Sequence, residues 1–329
     1  MASAKIPVVL CIDVEPDDFY IARGQPVPWR GFEAMHEFVS GFRSWAADAT
    51  GSPACFSWFL RMDPQVGEVY GGADWAAKYY GPRLDDIQGF GDEIGLHVHA
   101  YRWDAGLDEW VLDHANQPWI ERCVETGCAA FETAFGRTCR TFRFGDGWMN
   151  DETLRLLEDR GVRFDLTVET GRKGLPTWHV DKPFTGSLPD WTGVSLVPYH
   201  PSAEDLRKPD AAGRRRIWMI PISSDRHDGS AERPWSRLRR LFADRGKPYP
   251  RCPVLNMNLE PEFVCGVMDR LLTSLKNPYL ALVVRSDVPI WPEQFRNFSR
   301  SLEHLASHPM ARRMEFCTPA RALQLLGLT

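Results

Sequence analysis

Short apolar runs alternate with stretches of helical periodicity along most of the chain. Val8, Val9, Leu10 and Ile12 make Ile6–Asp13 a continuous apolar run, which predicts a buried strand. Phe32, Met35, Phe38, Val39, Phe42 and Trp45 recur at helical spacing and predict a helix over 31–49. Strands follow at 54–60 and 92–99, then a helix at 117–135, a strand at 138–144 and a helix at 150–160 stopped by Gly161. Further strands are expected at 162–168, 217–222, 279–285 and 314–317, with helices at 261–276 and 292–306. Thr318 and Pro319 mark the start of a last helix, as cap and first helical residue. Residues 169–216 are rich in Pro, Gly and charge and predict a long elaborated connection. No repeat or linker interrupts this order, so 1–329 is expected to be one domain. Strand-then-helix units with buried strands predict a parallel α/β sheet, barrel or open.

Composition narrows the class. Of 329 residues, 43% are hydrophobic and 25% charged, with a formal net charge of -5. That is ordinary globular composition, and it excludes an intrinsically disordered chain. No apolar run approaches the roughly 18 residues of a membrane span. The mild acidity gives no reason to expect nucleic acid as a partner. The start of the sequence carries no apolar signal region, which points to the cytoplasm. Eight cysteines, Cys11, Cys55 and Cys265 among them in apolar segments, suit buried thiols in a reducing compartment. Cys123 and Cys128, with Cys139 farther on, lack the second paired motif of a zinc site.

In parallel α/β folds the active site lies at the carboxyl ends of the strands. Here those ends carry Asp13, Glu15, Asp17 and Asp18, then Glu93, His97 and His99, then Arg143 and Asp146. Asp165 and Glu169, Ser223 and Asp225, and Arg285 with Asp287 complete the set. A purely structural scaffold has no need of ionisable groups at every end. His97 and His99 are two apart on a strand and so share a face. Two imidazoles so placed can bind one divalent cation with a carboxylate oxygen from the first strand end, where Asp13, Glu15 and Asp17 stand. The competing expectation, two satisfied structural histidines, is favoured for a lone His and disfavoured for a pair. Arg143 ends an apolar strand and must be paired there, with Asp13 the leading candidate. That pair is either a structural ion pair or a base with its orienting group. No nucleophile motif such as G-x-S-x-G is present.

The segments Cys11–Glu15, Glu93–His99 and Phe142–Trp148, in that order, resemble the NodB-homology polysaccharide deacetylases, carbohydrate esterase family four. The resemblance implies a deformed (β/α) barrel of seven or eight strands and metal-dependent removal of an N-acyl group from a sugar or related small metabolite. It implies Asp13 as base, Arg143 as its orienting partner, and Glu15, His97 and His99 as ligands of one divalent metal. Zinc is expected first, with cobalt or nickel as alternatives. Trp148, Tyr101, Arg285 and His200 are the residues expected to contact substrate. The chain departs from the family twice. Tyr101 stands where a second histidine is common, and Arg285 stands where a histidine normally acts as general acid. A guanidinium cannot donate a proton near neutrality, so His200 enters as a candidate donor. Arg285 either pairs with Asp287 or binds an anionic part of the substrate. The departures also admit a catalytically silent carbohydrate-binding protein, to which the many tryptophans would suit, or a cyclic amide or imide hydrolase.

Overall fold

The computed structural model describes residues 4–18, 21–176, 183–224 and 254–328. Asp225 therefore lies outside the described residues. Eight strands form one parallel sheet: β1 (Ile6–Val14), β2 (Ser57–Arg61), β3 (Glu93–Val98), β6 (Thr141–Phe144), β7 (Phe164–Asp165), β9 (Trp218–Met219), β10 (Leu280–Arg285) and β11 (Met314–Phe316). Their spatial order is β10-β1-β2-β3-β6-β7-β9, with β11 on the lower half of β1. Beyond β9 the chain meets β10 again: Ser223 N donates to Ala281 O at 2.9 Å, and Ala281 N donates to Ser223 Oγ at 2.9 Å. The sheet thus curls into a deformed barrel, as the sequence led us to expect.

Helices cover the outside. α1 (Arg30–Thr50) buries Phe32, Met35, Val39, Phe42 and Ala46, while Trp45 at the edge of that stripe stays 40% exposed. Its first turn is capped by Asp17, whose Oδ1 accepts from Gly31 N at 2.8 Å. A side chain at residue 31 would meet the Asp287 backbone at 2.3 Å, so only glycine lets α1 start so close to the end of β10. α2 (Pro64–Tyr70), α3 (Trp75–Tyr79) and α4 (Gly81–Gly89) follow β2; α5 (Gln117–Phe135) and α6 (Asp151–Asp159) flank β6. α7 (Pro261–Ser274), α8 (Pro292–Ser307) and α9 (Pro319–Leu325) complete the described helices. Thr318 does precede α9, but its side chain makes no capping bond.

Two features were not anticipated. β4 (Tyr101–Asp104) and β5 (Glu109–Asp113) form an antiparallel hairpin directly after β3, and β8 (Phe184–Thr185) joins it from the long connection. The signal was present: alternating residues on either side of a turn that includes Gly106. β7 and β9 are also much shorter than their apolar runs, because neighbouring residues pair only through isolated bridges such as Glu169 with Ile222. The seven described cysteines are all free. No helix among the described residues is long and apolar enough to cross a membrane.

Candidate active site

Register sets the level at which side chains meet. Asp13 is paired with Arg285 on one side and Phe59 on the other, while His97 is paired with Arg61 and Arg143. The carboxyl ends of β1, β2, β3, β6 and β10 therefore converge on one cluster. Glu15, His97 and His99 are 2%, 1% and 2% exposed, and one donor atom from each lies within 4.8 Å of the others. Glu15 Oε2 is 3.2 Å from His99 Nε2, and Oε1 is 3.6 Å from His97 Nε2. Asp17 takes no part, since its oxygens face Arg30 at 3.1 Å and the start of α1.

The remaining ring nitrogens fix the chemistry of this group. His97 Nδ1 lies 2.9 Å from the Arg143 carbonyl, which can only accept, so Nδ1 carries the proton. His99 Nδ1 faces the Asp146 carboxylate at 3.2 Å and is protonated by the same logic. Both Nε2 atoms are then left with lone pairs, yet they stand 3.0 Å apart. Two facing lone pairs repel unless a cation lies between them. The donor set, two imidazoles with outward N–H bonds and one carboxylate, fits a divalent transition-metal ion. Without a metal a proton must serve. Burial and Arg61 oppose charging of His99, but Glu15 and Asp146 prevail and push its pKa up to about 9. Burial likewise opposes ionisation of Glu15, and Arg285 with the two imidazoles outweighs it, holding the carboxyl well below its usual range.

A pH dependence follows. A raised His99 pKa stabilises the metal-free fold below the ordinary histidine range, and that contribution is lost as pH rises through about 9. A metal ion bound by Glu15, His97 and His99 would have to displace the same proton. Zinc affinity is therefore expected to climb about tenfold per pH unit towards about pH 9 and then level off, as titration calorimetry at several pH values would read. A pH-independent affinity between 6 and 8 would contradict the protonation of His99.

Asp146 reaches His99 only through unusual backbone. It is a non-glycine residue at φ 58°, inside the turn that follows β6. A Cβ on its neighbour Gly145 would stand 2.2 Å from the His99 ring, so only glycine admits the imidazole.

Beside the cluster sits Asp13, whose two oxygens are each 3.0 Å from Arg143 Nε. Arg143 is anchored behind by Leu166 O at 2.7 Å and Glu169 at 3.2 Å. Glu169 in turn binds Arg172 at 2.8 Å. Asp165 lies beneath, wholly buried, accepting from Thr167 N and Oγ1, and burial pushes its pKa up to about 7.

Sequence reasoning missed Arg61 and Asp63 as structural members of the site, and it placed Asp146 at a strand end without pairing it with His99. Arg61 is completely buried and binds Asp63 at 2.7 Å, Glu15 at 3.3 Å and the side-chain Oε1 of Gln65. Asp63 also caps α2 through Val66 N at 3.1 Å and accepts from His99 N at 3.0 Å. A charged residue ending the apolar run Ser57–Arg61 was the available signal.

The expected substrate contacts fare unevenly. Tyr101 lies against His99 with ring centroids 5.6 Å apart and beneath the Arg61 guanidinium, and Trp148 stacks on His114 at 5.1 Å. Both are buried, 4% and 5% exposed. Arg285 does not project from the barrel. Its guanidinium turns inward to Asp287 at 3.0 Å, Glu15 at 3.1 Å and Pro16 O at 3.4 Å, which is the Asp287 pairing with a second carboxylate added. His200 is not brought to the cluster. Its Nδ1 faces Ile217 O at 3.0 Å and its ring lies 3.7 Å from Trp218, at the amino end of β9. The loop carrying it runs back along β9, with Tyr199 bonded to Met219.

No family model and no curated protein matches the chain. Solved structures do. PuuE allantoinase aligns at TM-score 0.53 and 14% identity, over 99% of this chain and 91% of that one. A Mycobacterium smegmatis protein assigned as a polysaccharide deacetylase aligns at TM-score 0.52 and 13% identity, covering 99% and 92%. A Pseudomonas aeruginosa PAO1 protein with the same assignment aligns at TM-score 0.52 and 12% identity, covering 98% and 91%. At such identities the likeness is one of fold, and the chain has the fold of the NodB-type polysaccharide deacetylases in a divergent form.

Proposed function

We propose that the chain is a metal-dependent hydrolase of amide bonds that removes an N-acyl group from a sugar or related small metabolite. The observation that carries this reading is the Glu15–His97–His99 cluster beside a carboxylate, Asp13, held by a buried arginine. Glu15, His97 and His99 would hold one divalent ion, with zinc favoured and cobalt or nickel as alternatives. Such an ion, when bound, polarises a carbonyl and lowers the pKa of water. Asp13 accepts the proton of the attacking water, and Arg143 keeps both its oxygens turned to one side. Arg143 is itself locked by Leu166 O and Glu169, so the base is pre-oriented. The leaving nitrogen is not served by Arg285, whose donors are engaged by Asp287, Glu15 and Pro16 O. The free thiols of the seven described cysteines agree with a reducing compartment, and so with a soluble precursor as substrate.

Asp13→Asn keeps the shape and removes the base. Hydrolysis of N-acetylated sugars, screened as zinc- and cobalt-loaded protein, is expected to fall by about 10²–10⁴-fold with metal content unchanged. An Asn variant as active as the parent would refute Asp13 as base. The engagement of Arg285 also favours a second reading, a silent carbohydrate-binding protein. That reading predicts sugar binding with no turnover in either form.

A further inference from the structure

The turn that carries Asp146 to His99 is held by residues of the long connection. Asp146 and Gly147 are two consecutive left-handed residues, at φ 58° and 60°. A non-glycine residue in that region persists only where its surroundings over-determine it. Here that control converges on one atom. Gly147 O accepts from Arg172 Nη2 at 2.8 Å and from Trp191 Nε1 at 2.8 Å, which occupies both its lone pairs. Arg172 and Trp191 are each 1% exposed. Two backbone bonds clasp their segments together: Trp191 N donates to Arg172 O at 2.8 Å, and Gly171 N donates to Trp191 O at 3.0 Å.

The same guanidinium also faces the Asp13 side. Arg172 Nη1 donates to Glu169 Oε2 at 2.8 Å. Glu169 Oε1 accepts from Arg143 Nη2 at 3.2 Å, and Arg143 Nε donates to Asp13 at 3.0 Å. Asp13, Arg143, Glu169 and Arg172 thus alternate in charge along one chain of contacts, which balances the second buried guanidinium. From Arg172 the contacts run one way to Asp13 and the other way, through Gly147 and Asp146, to His99. Arg172 follows β7 and belongs to no strand, so these contacts lie beyond the ladders that hold the sheet. A planar fork can span a carboxylate and a carbonyl at a fixed separation, and a single ammonium cannot.

We propose that Arg172 is a positioning residue of the site, whose guanidinium holds the Asp146 turn, and so His99, in register with Asp13. The inference rests on the metal-hydrolase reading and adds to it the residue that joins the two sides.

The test compares the parent with Arg172→Lys and Trp191→Phe as full-length protein carrying isotope-labelled histidine. In the metal-free protein, the NMR signal of the His99 Nδ1 proton reports its bond to Asp146. Zinc affinity is then measured by competition with a chelator. Arg172→Lys keeps a cation for Glu169 and loses the fork, so the His99 signal should move and zinc should bind about tenfold more weakly. Trp191→Phe keeps an aromatic ring and removes one of the two donors to Gly147 O. It should move the signal in the same direction, with about threefold weaker zinc binding, and it decides alone if the Lys variant does not fold. A core control, Leu302→Ala in α8, should lower the melting temperature and leave both readouts at parental values. Arg172 and Trp191 variants that melt lower yet keep the parental His99 signal and zinc affinity would make the clasp structural only and overturn the proposal. Equal shifts in Leu302→Ala would overturn it as well. A parent that binds no zinc removes the metal reading and this role with it, an outcome told apart because it is read before any variant.

Discussion

Replacing His97 and His99 together by alanine is expected to abolish metal uptake. Loss of a residue that merely orients a metal ligand costs about 10–100-fold in affinity, so loss of two ligands should exceed about 10³-fold. The fold should survive, because β3 is held by its ladders to β2 and β6 and not by the imidazoles. The variant also relieves the close approach of the two Nε2 atoms, 3.0 Å apart. Elemental analysis after zinc loading, with far-ultraviolet circular dichroism as the control for folding, reads the result. One tightly bound ion per chain in a folded double variant would remove the Glu15–His97–His99 assignment.

Arg143→Met should have the largest effect on stability. It preserves the apolar stem and deletes the guanidinium that Asp13 and Glu169 share. Asp13 is 5% exposed and would be left as an uncompensated charge in the barrel. Removing one partner of a buried ion pair costs about 3–5 kcal/mol, far more than exposed pairs contribute. Leu166 O also loses its donor at 2.7 Å. Urea unfolding should show the loss as a lower midpoint with an unchanged slope. A surface control, Arg160→Met, removes the exposed pair with Glu125 and should change stability by about 0–1 kcal/mol. Equal midpoints for the two variants would mean that Arg143 is not the keystone of the Asp13 side.

What could be read in advance was what depends on local period. The shared face of His97 and His99 follows from strand geometry, and the pairing of Arg143 follows from the cost of burying a lone guanidinium. The carboxyl ends were identifiable because apolar runs stop there. Two things depend on register between distant strands, which one sequence does not disclose. Arg285 turns inward because Asp13 is its cross-strand partner and Glu15 lies just beyond. Arg61 joins the site because it is level with His97. His200 sits in a loop without periodicity, and nothing in its composition said that the loop would run back along β9. Asp146 lay in plain view between two glycines, but its left-handed backbone is a property of the folded turn.

The position of β1 has a consequence for how the chain is made. Of the strands in this sheet β1 leaves the ribosome first, yet its ladder partners include β10 and β11, the last two of the sheet in chain order. Asp13 and Glu15, at its far end, are fixed by Arg285 and by Ser286, whose hydroxyl accepts from Glu15 N at 3.1 Å. Most of the sheet must therefore emerge before the acidic side of the Glu15–His97–His99 cluster can be assembled. Until then β1 is an unusually apolar segment with one edge unpaired, the kind of nascent strand that invites aggregation or chaperone capture. Closing a loop of this length also makes slow folding the natural expectation. A metal held by Glu15, His97 and His99 would, in this order of events, enter the finished barrel and not the growing chain.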